Sequence, residues 1–362
     1  MICCLSPNGS VVHRGPEPPA QLVVGTVDGV TTLERQAPGP SWKVARHSLA
    51  GLHVGALLFE PGRDALFAAT HGGGVHASAD RGRTWEPRTR GLTIPHVWTL
   101  ASVERNGAPV LYAGAEPARL FRSIDYGASW EELPALRSVP GTERWMFPPP
   151  PHVAHVKNIA FDPGDSRIMF VGVEQGALLK SSDDGQSWRE LDEYARPDDV
   201  YEKDIHRLVI CPSDPKRIYM TTGDGLYMSA DGGETWEHLT TRAARIAYPD
   251  ALLLSPFDDD VLFMAGGGAD PPEWRRTGTA DSGIVVSEDG GRTWRSPERG
   301  LPPRLHGNVD ALSMHARPGG FTIFAGTTDG EIFASEDGGA GWALIASGLA
   351  PISSAGHYLS LR

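Results

Sequence analysis

Short apolar runs of four or five residues recur along the chain, and polar turns cut each one before it can extend into a helix. Near the middle, Asn158-Ile159-Ala160-Phe161, Ile168-Met169-Phe170-Val171 and Leu178-Leu179-Lys180-Ser181 follow one another with short breaks. Runs of this length, bounded by Asp, Gly and Pro, predict strands. A tight turn and a fourth strand from Trp188 complete the unit. It is a four-stranded antiparallel meander, with strands A to D.

The unit repeats. Six segments fit S-x-D-x-G-x-[TSG]-W, running from Ser78 to Trp85, Ser123 to Trp130, Ser181 to Trp188, Ser229 to Trp236, Ser287 to Trp294 and Ser335 to Trp342. Their serines stand 45, 58, 48, 58 and 48 residues apart, the period of a propeller blade or a little more. Asp suits the turn by accepting hydrogen bonds from the amides that follow, Gly supplies a positive φ, and Trp packs into the sheet beyond. A seventh, degenerate unit opens the chain. There Leu22-Val23-Val24-Gly25-Thr26-Val27-Asp28-Gly29 mirrors Ile323-Phe324-Ala325-Gly326-Thr327-Thr328-Asp329-Gly330, and Trp42 stands where a box Trp is expected.

No innermost strand is read before residue 20, and His357-Tyr358-Leu359-Ser360-Leu361 is expected to supply it, which would cover a free sheet edge. The expected fold is all-β: a single seven-bladed β-propeller over residues 1–362 with six Asp-box turns. Its ring is closed by a C-terminal strand joining the N-terminal blade, and residues 1–19 are read as a flexible tail.

The six boxes resemble the Asp-box (BNR) repeats of sialidases, of xyloglucanase-type glycoside hydrolases, and of sortilin-like and photosystem-assembly propellers. The resemblance spans most of the chain and implies the fold. It leaves function open, because the box is a structural turn in all of these families.

Composition narrows the partners. A net charge of −12, from 33 basic and 45 acidic residues, argues against nucleic acid. No apolar stretch approaches the length of a membrane span. The three cysteines, Cys3, Cys4 and Cys211, allow no disulfide framework, and the opening MICCLSPNGSVV has no basic or apolar signal region. A cytoplasmic protein acting on a small-molecule substrate is expected.

In such a meander the C–D turns share a face with the A–B turns, and the B–C and D–A loops share the other. Three insertions fall on that second face. They run from about Pro134 to Val153, holding Arg144-Trp145-Met146-Phe147, from about Leu191 to Asp204, and from about Gly266 to Ser282, holding Trp274-Arg275-Arg276. Aromatic and basic loops gathered on one face suit a lid over a cleft; the plainer alternative is insertion tolerated on a surface. Arg144, Trp145 and Trp274 are therefore expected to contact substrate.

Aligning the innermost strands gives one informative column. It reads His53-Val54-Gly55, His96-Val97-Trp98, His155-Val156-Lys157, Asp204-Ile205-His206, Tyr248-Pro249-Asp250, Asn308-Val309-Asp310 and Ala355-Gly356-His357. Five of the 13 histidines fall in it, where chance would place about half of one. These five, His53, His96, His155, His206 and His357, are expected to face the axis and hold a transition metal, Fe, Cu, Zn, Mn or Ni, since imidazole ligates all of them. Trp98 and Lys157 share the column as candidate substrate contacts. Glu116, Glu174 and Asp204 are candidate bases and Tyr248 a candidate proton donor. The alternative is a solvated polar channel.

Three functions compete. The leading expectation is a metal-dependent enzyme acting on a small organic molecule under the insertions, as hydrolase, lyase or oxygenase. The resemblance implies a second, a glycoside hydrolase using a carboxylate pair such as Glu116 with Glu174 or Asp204. Against it, the sialidase F/Y-R-I-P segment has no counterpart beyond Thr93-Ile94-Pro95, and xyloglucanase-type enzymes draw a carboxylate from each of two tandem propellers. The third is a non-catalytic binding or assembly propeller.

Overall fold

The computed structural model describes residues 1–36, 41–197, 199–201, 203–242, 244–354 and 356–361. Seven sheets stand around one axis. Their innermost strands touch in a closed circle: Ile2–Leu5, His53–Glu60, Val97–Arg105, Val156–Phe161, Ile205–Ile210, Tyr248–Leu254 and Val309–Arg317, which returns to Ile2–Leu5. We number the blades 1 to 7 in that order. Facing sheets of neighbouring blades form the core. Between blades 3 and 4, for example, Tyr112 and Leu120 pack with Val156, Val171 and Leu179, all fully buried. Burying each such side chain contributes about 1.5–3 kcal/mol.

The box turns form as their residues dictate. In the first, Ser78 Oγ accepts the Gly82 amide at 2.8 Å, and Asp80 accepts the Thr84 amide at 2.8 Å and its hydroxyl at 2.7 Å. Gly82 sits at φ 79°. The same serine-to-glycine bond recurs at Gly127, Gly185, Gly233, Gly291 and Gly339.

The chain ends depart from expectation. Residues 1–19 are no flexible tail: Ile2–Leu5 is the innermost strand of blade 1, pairing parallel to Gln21–Thr26, with Cys3, Cys4 and Leu5 fully buried. Four consecutive apolar residues suit a strand enclosed on both faces. The chain then turns through Pro7-Asn8-Gly9, and Val12–Arg14 pairs parallel with the innermost strand of blade 7. These residues form a hairpin inserted into the channel from the box face. At its tip the Asn8 amide donates to Gly55 O and Asn8 Nδ2 to Trp98 O.

The C-terminal strand is likewise corrected. His357–Leu361 is a 3-10 turn on the insertion face, and Ala355 of the aligned column lies outside the described residues. The stretch before this turn crosses from blade 7 to blade 1. The Ile352 amide donates to Thr327 O and the Val27 amide to Pro351 O.

Candidate functional site

One local device aims the axial side chains. In blades 2 to 7 the pairing of the innermost strand slips just after its start, between Val54 and Ala56, Val97 and Thr99, Val156 and Asn158, Ile205 and Arg207, Pro249 and Ala251, and Val309 and Ala311. The residues set out of register are Gly55, Trp98, Lys157, His206, Asp250 and Asp310. A bulge re-aims the extra residue, and here it does so six times at the same depth.

These side chains divide into separate neighbourhoods. On the side of blades 2 to 4, His53, His71, Trp98 and His155 stack in series, with ring centroids 4.1, 4.3 and 3.4 Å apart. His53 Nε2 hydrogen-bonds Ser353 O at 2.8 Å. Burial holds His71 well below the usual imidazole range, reinforced by His53 and His155. Lys157 is buried in an ion pair with Glu174, whose other oxygen lies 2.5 Å from His155 Nε2. Burial opposes charge on Glu174, but Lys157 and His155 hold its pKa far below the ordinary value. Glu116 stands 3.7 Å from His155 Nδ1, and burial raises its carboxyl pKa. Glu174 and Lys157 thus neutralise each other inside the protein, and Trp98 is sandwiched between histidines. Neither Lys157 nor Trp98 reaches the cavity expected to receive substrate.

On the side of blades 5 to 7, two side chains do. The Tyr248 hydroxyl donates to Asp204 Oδ2 at 3.0 Å, and His206 Nε2 bonds the same oxygen at 3.2 Å. Burial, followed by Asp204, raises the Tyr248 pKa well above the phenol norm. His357 Nδ1 bonds Asp310 Oδ1 at 3.1 Å and lies 3.7 Å from Asp250 Oδ1. Burial disfavours its charge, yet Asp310 and Asp250 push its pKa up to about 9. Asn308 Nδ2 bridges Asp250, at 2.6 Å, and Asp310. Burial raises Asp250; it also disfavours charge on Asp310, but His357 and three hydrogen-bond partners hold that carboxyl low.

Tyr248 and His357 form part of a cavity of about 490 Å³, which Phe147, Tyr201, Pro271 and Arg275 also line. All three insertions and the final turn contribute to it, so the expected cover over the axis is present. Three predicted contacts are placed elsewhere. Arg144 is exposed, paired with Glu143 at 3.6 Å. Trp145 lines a separate cleft with Arg119 and Arg137. Trp274 is fully buried and supports Tyr248 and His357 from behind, at centroid distances of 5.8 and 5.4 Å.

The five histidines do not converge. His96 is exposed, His53 and His155 lie in the ring stack, and His206 and His357 fall in different clusters. Each of those two clusters offers a single imidazole with two carboxylates, Glu174 and Asp204 for His206, and Asp250 and Asp310 for His357. His155 and His206 come nearest to a common group, through Glu174, at 2.5 and 4.0 Å. Sequence reasoning passed over Tyr201 entirely, and it quoted Phe147 and Arg275 without assigning them roles. The aromatic character of the insertions was the only signal.

Fold and repeated turn together define an Asp-box β-propeller, and the chain belongs to that superfamily. The Sortilin-Vps10 family (Sortilin, neurotensin receptor 3) matches residues 176–302. Among similar proteins, a xyloglucanase of Acetivibrio thermocellus is 29% identical over 264 residues, 61% of this chain and 30% of the relative. A xyloglucanase of Paenibacillus sp is 25% identical over 250 residues, 59% and 24%. The chain thus spans less than a third of the length of these relatives. The GH74 enzyme of Niastella koreensis superposes with a TM-score of 0.51 at 12% identity, over 95% of this chain and 66% of that one. YCF48 from Cyanidioschyzon merolae superposes with a TM-score of 0.51 at 15% identity, over 81% and 85%. These two likenesses establish the fold. The xyloglucanase relatives overturn the leading expectation, a metal-dependent enzyme acting on a small organic molecule, and favour the glycoside hydrolase alternative.

Proposed function

We propose that this propeller is a glycoside hydrolase whose saccharide lies in the cavity beneath the insertions. The observation carrying this reading is the pair of groups on the cavity floor, each backed by a buried carboxylate: Tyr248 by Asp204 and His357 by Asp310. Their rings meet edge to face, with centroids 6.1 Å apart, so both groups can address one bound sugar. Phe147 and Tyr201 offer faces on which a pyranose ring can stack.

In this reading Tyr248 Oη attacks the anomeric carbon as its proton passes to Asp204. His357, protonated at neutral pH, gives its Nε2 proton to the departing oxygen as the glycosidic bond breaks. Water then cleaves the glycosyl–tyrosine bond: the neutral imidazole takes the water proton, and Asp204 returns its proton to Tyr248 Oη as that oxygen departs. A tyrosine nucleophile adds no charge to a floor already rich in carboxylates, and Asp310 stabilises the imidazolium before the step. Lys157 and Glu174 hold the scaffold. The metal reading plays no part.

The test is release of reducing ends from a glycan panel led by xyloglucan oligosaccharides, with Tyr248→Phe and His357→Gln as controls. Turnover by the wild-type chain and its loss in both variants is expected. The absence of both turnover and saturable binding across the panel would refute the proposal.

A further inference from the structure

A second axial cavity, of about 560 Å³, opens on the opposite, Asp-box face between the N-terminal hairpin and the innermost strands of blades 3, 4 and 5. Arg207 lies at its inner end. Among the described residues it is the one buried arginine, with 6% of its surface exposed. Its Nη2 donates to Pro7 O at the hairpin tip, Nε has no partner, and no carboxylate pairs with it among the described residues. Part-buried arginines elsewhere are neutralised by carboxylates: Arg105 and Arg122, for instance, share Asp184 at 2.5 and 2.8 Å. A buried charge without a partner is strongly disfavoured, so an unneutralised guanidinium bordering a cavity calls for an anion.

We infer that this cavity binds a small organic monocarboxylate, its carboxylate held by the Arg207 guanidinium. A planar oxyanion matches the guanidinium fork. The walls are largely apolar, including Val12, Leu100, Ile159 and Leu208, and the volume exceeds that of a lone inorganic ion. Glu104 and Asp162 also line the cavity, and their charge disfavours a dianion such as phosphate. Because Arg207 holds the hairpin tip, a bound carboxylate fastens residues 1–14 to blade 5. This site is independent of the saccharide cavity on the other face.

Calorimetric titration and thermal melting with acetate, butyrate and inorganic phosphate test the inference on the full chain, using wild type, Arg207→Met, Arg207→Lys and His357→Gln. Butyrate is expected to bind wild type and His357→Gln equally and to raise their melting midpoints. Its affinity should fall about tenfold or more in Arg207→Met and by less in Arg207→Lys. Arg207→Met removes an unpaired buried charge, so its ligand-free midpoint should hold or rise, which keeps misfolding from explaining a loss. The inference is overturned by any of three results: no carboxylate binds wild type, Arg207→Met binds butyrate as tightly, or phosphate binds as well as butyrate.

Discussion

His357 Nδ1 hydrogen-bonds Asp310 Oδ1 at 3.1 Å, joining the last turn of the chain to the innermost strand of blade 7. The contact favours the charged ring, whose pKa is raised to about 9 from about 6.5 in an unfolded chain. A raised folded-state pKa contributes stability that is fully present below the unfolded value and is lost as pH rises through the folded one. Stability should therefore decline between pH 6.5 and 9. In Asp310→Asn the ring should titrate markedly lower, which proton NMR of the His357 imidazole will read. An unchanged midpoint would show that Asp310 is not what holds the charge.

If His357 is the acid of a glycosidase, hydrolysis should fall above pH 9 as the ring loses its proton. His357→Gln should lose about 10²–10⁴-fold in kcat on natural saccharides. It should lose far less on aryl glycosides, whose leaving groups need no protonation. An equal loss on both would remove His357 from the acid role.

Tyr248→Phe deletes one hydroxyl and its bond to Asp204. Stability should change by about 1 kcal/mol, while turnover should disappear. Chemical denaturation beside the activity assay separates the two effects.

The box carboxylates make the protein sensitive to acid. Hydrogen bonds from Thr84, Thr235 and Thr293 hold Asp80, Asp231 and Asp289 at about 2, below the unfolded value of about 3.9. Depressed carboxyl pKa values contribute stability that is present above the unfolded value and is lost as pH falls through the folded one. Wild type should therefore lose stability between pH 4 and 2. A triple Asp→Asn variant at these positions should show a shallower acid slope and a lower midpoint at pH 7. Melting curves across that range decide it.

The N-terminal hairpin is part of the core. Leu5→Ala, at a fully buried site, should cost about 2–5 kcal/mol. Removing residues 1–15 should expose the inner edges of blades 1 and 7 and produce concentration-dependent association. A monomeric, equally stable truncation by light scattering and melting would contradict this.

Much of the fold was legible in the sequence because its signals are local. Six boxes specify six turns through bonds spanning four residues, as from Gly82 to Ser78, and no distant partner is needed to form them. Repetition at one period then dictates a ring, since a sheet with two apolar faces must pack against its copies. The inward column was legible too: positions such as Lys157, His206 and Asp310 were aligned correctly. Their roles were not. A histidine at a strand start looks alike whether it faces solvent, as His96 does, or a carboxylate, as His155 does.

The sequence by itself determined the seven blades, the box turns and the face that carries the insertions, because each depends on neighbours along the chain. Only tertiary structure decided which axial groups meet. Ile2–Leu5 entering blade 1 diverted the C-terminal residues from strand to turn and set His357 on Asp310. The hairpin tip parted the two cavities and left Arg207 with a backbone carbonyl in place of a carboxylate. Contacts between residues 47 positions apart, as His357 and Asp310 are, or 200, as Arg207 and Pro7 are, depend on how the ring closes, and no local pattern encodes that.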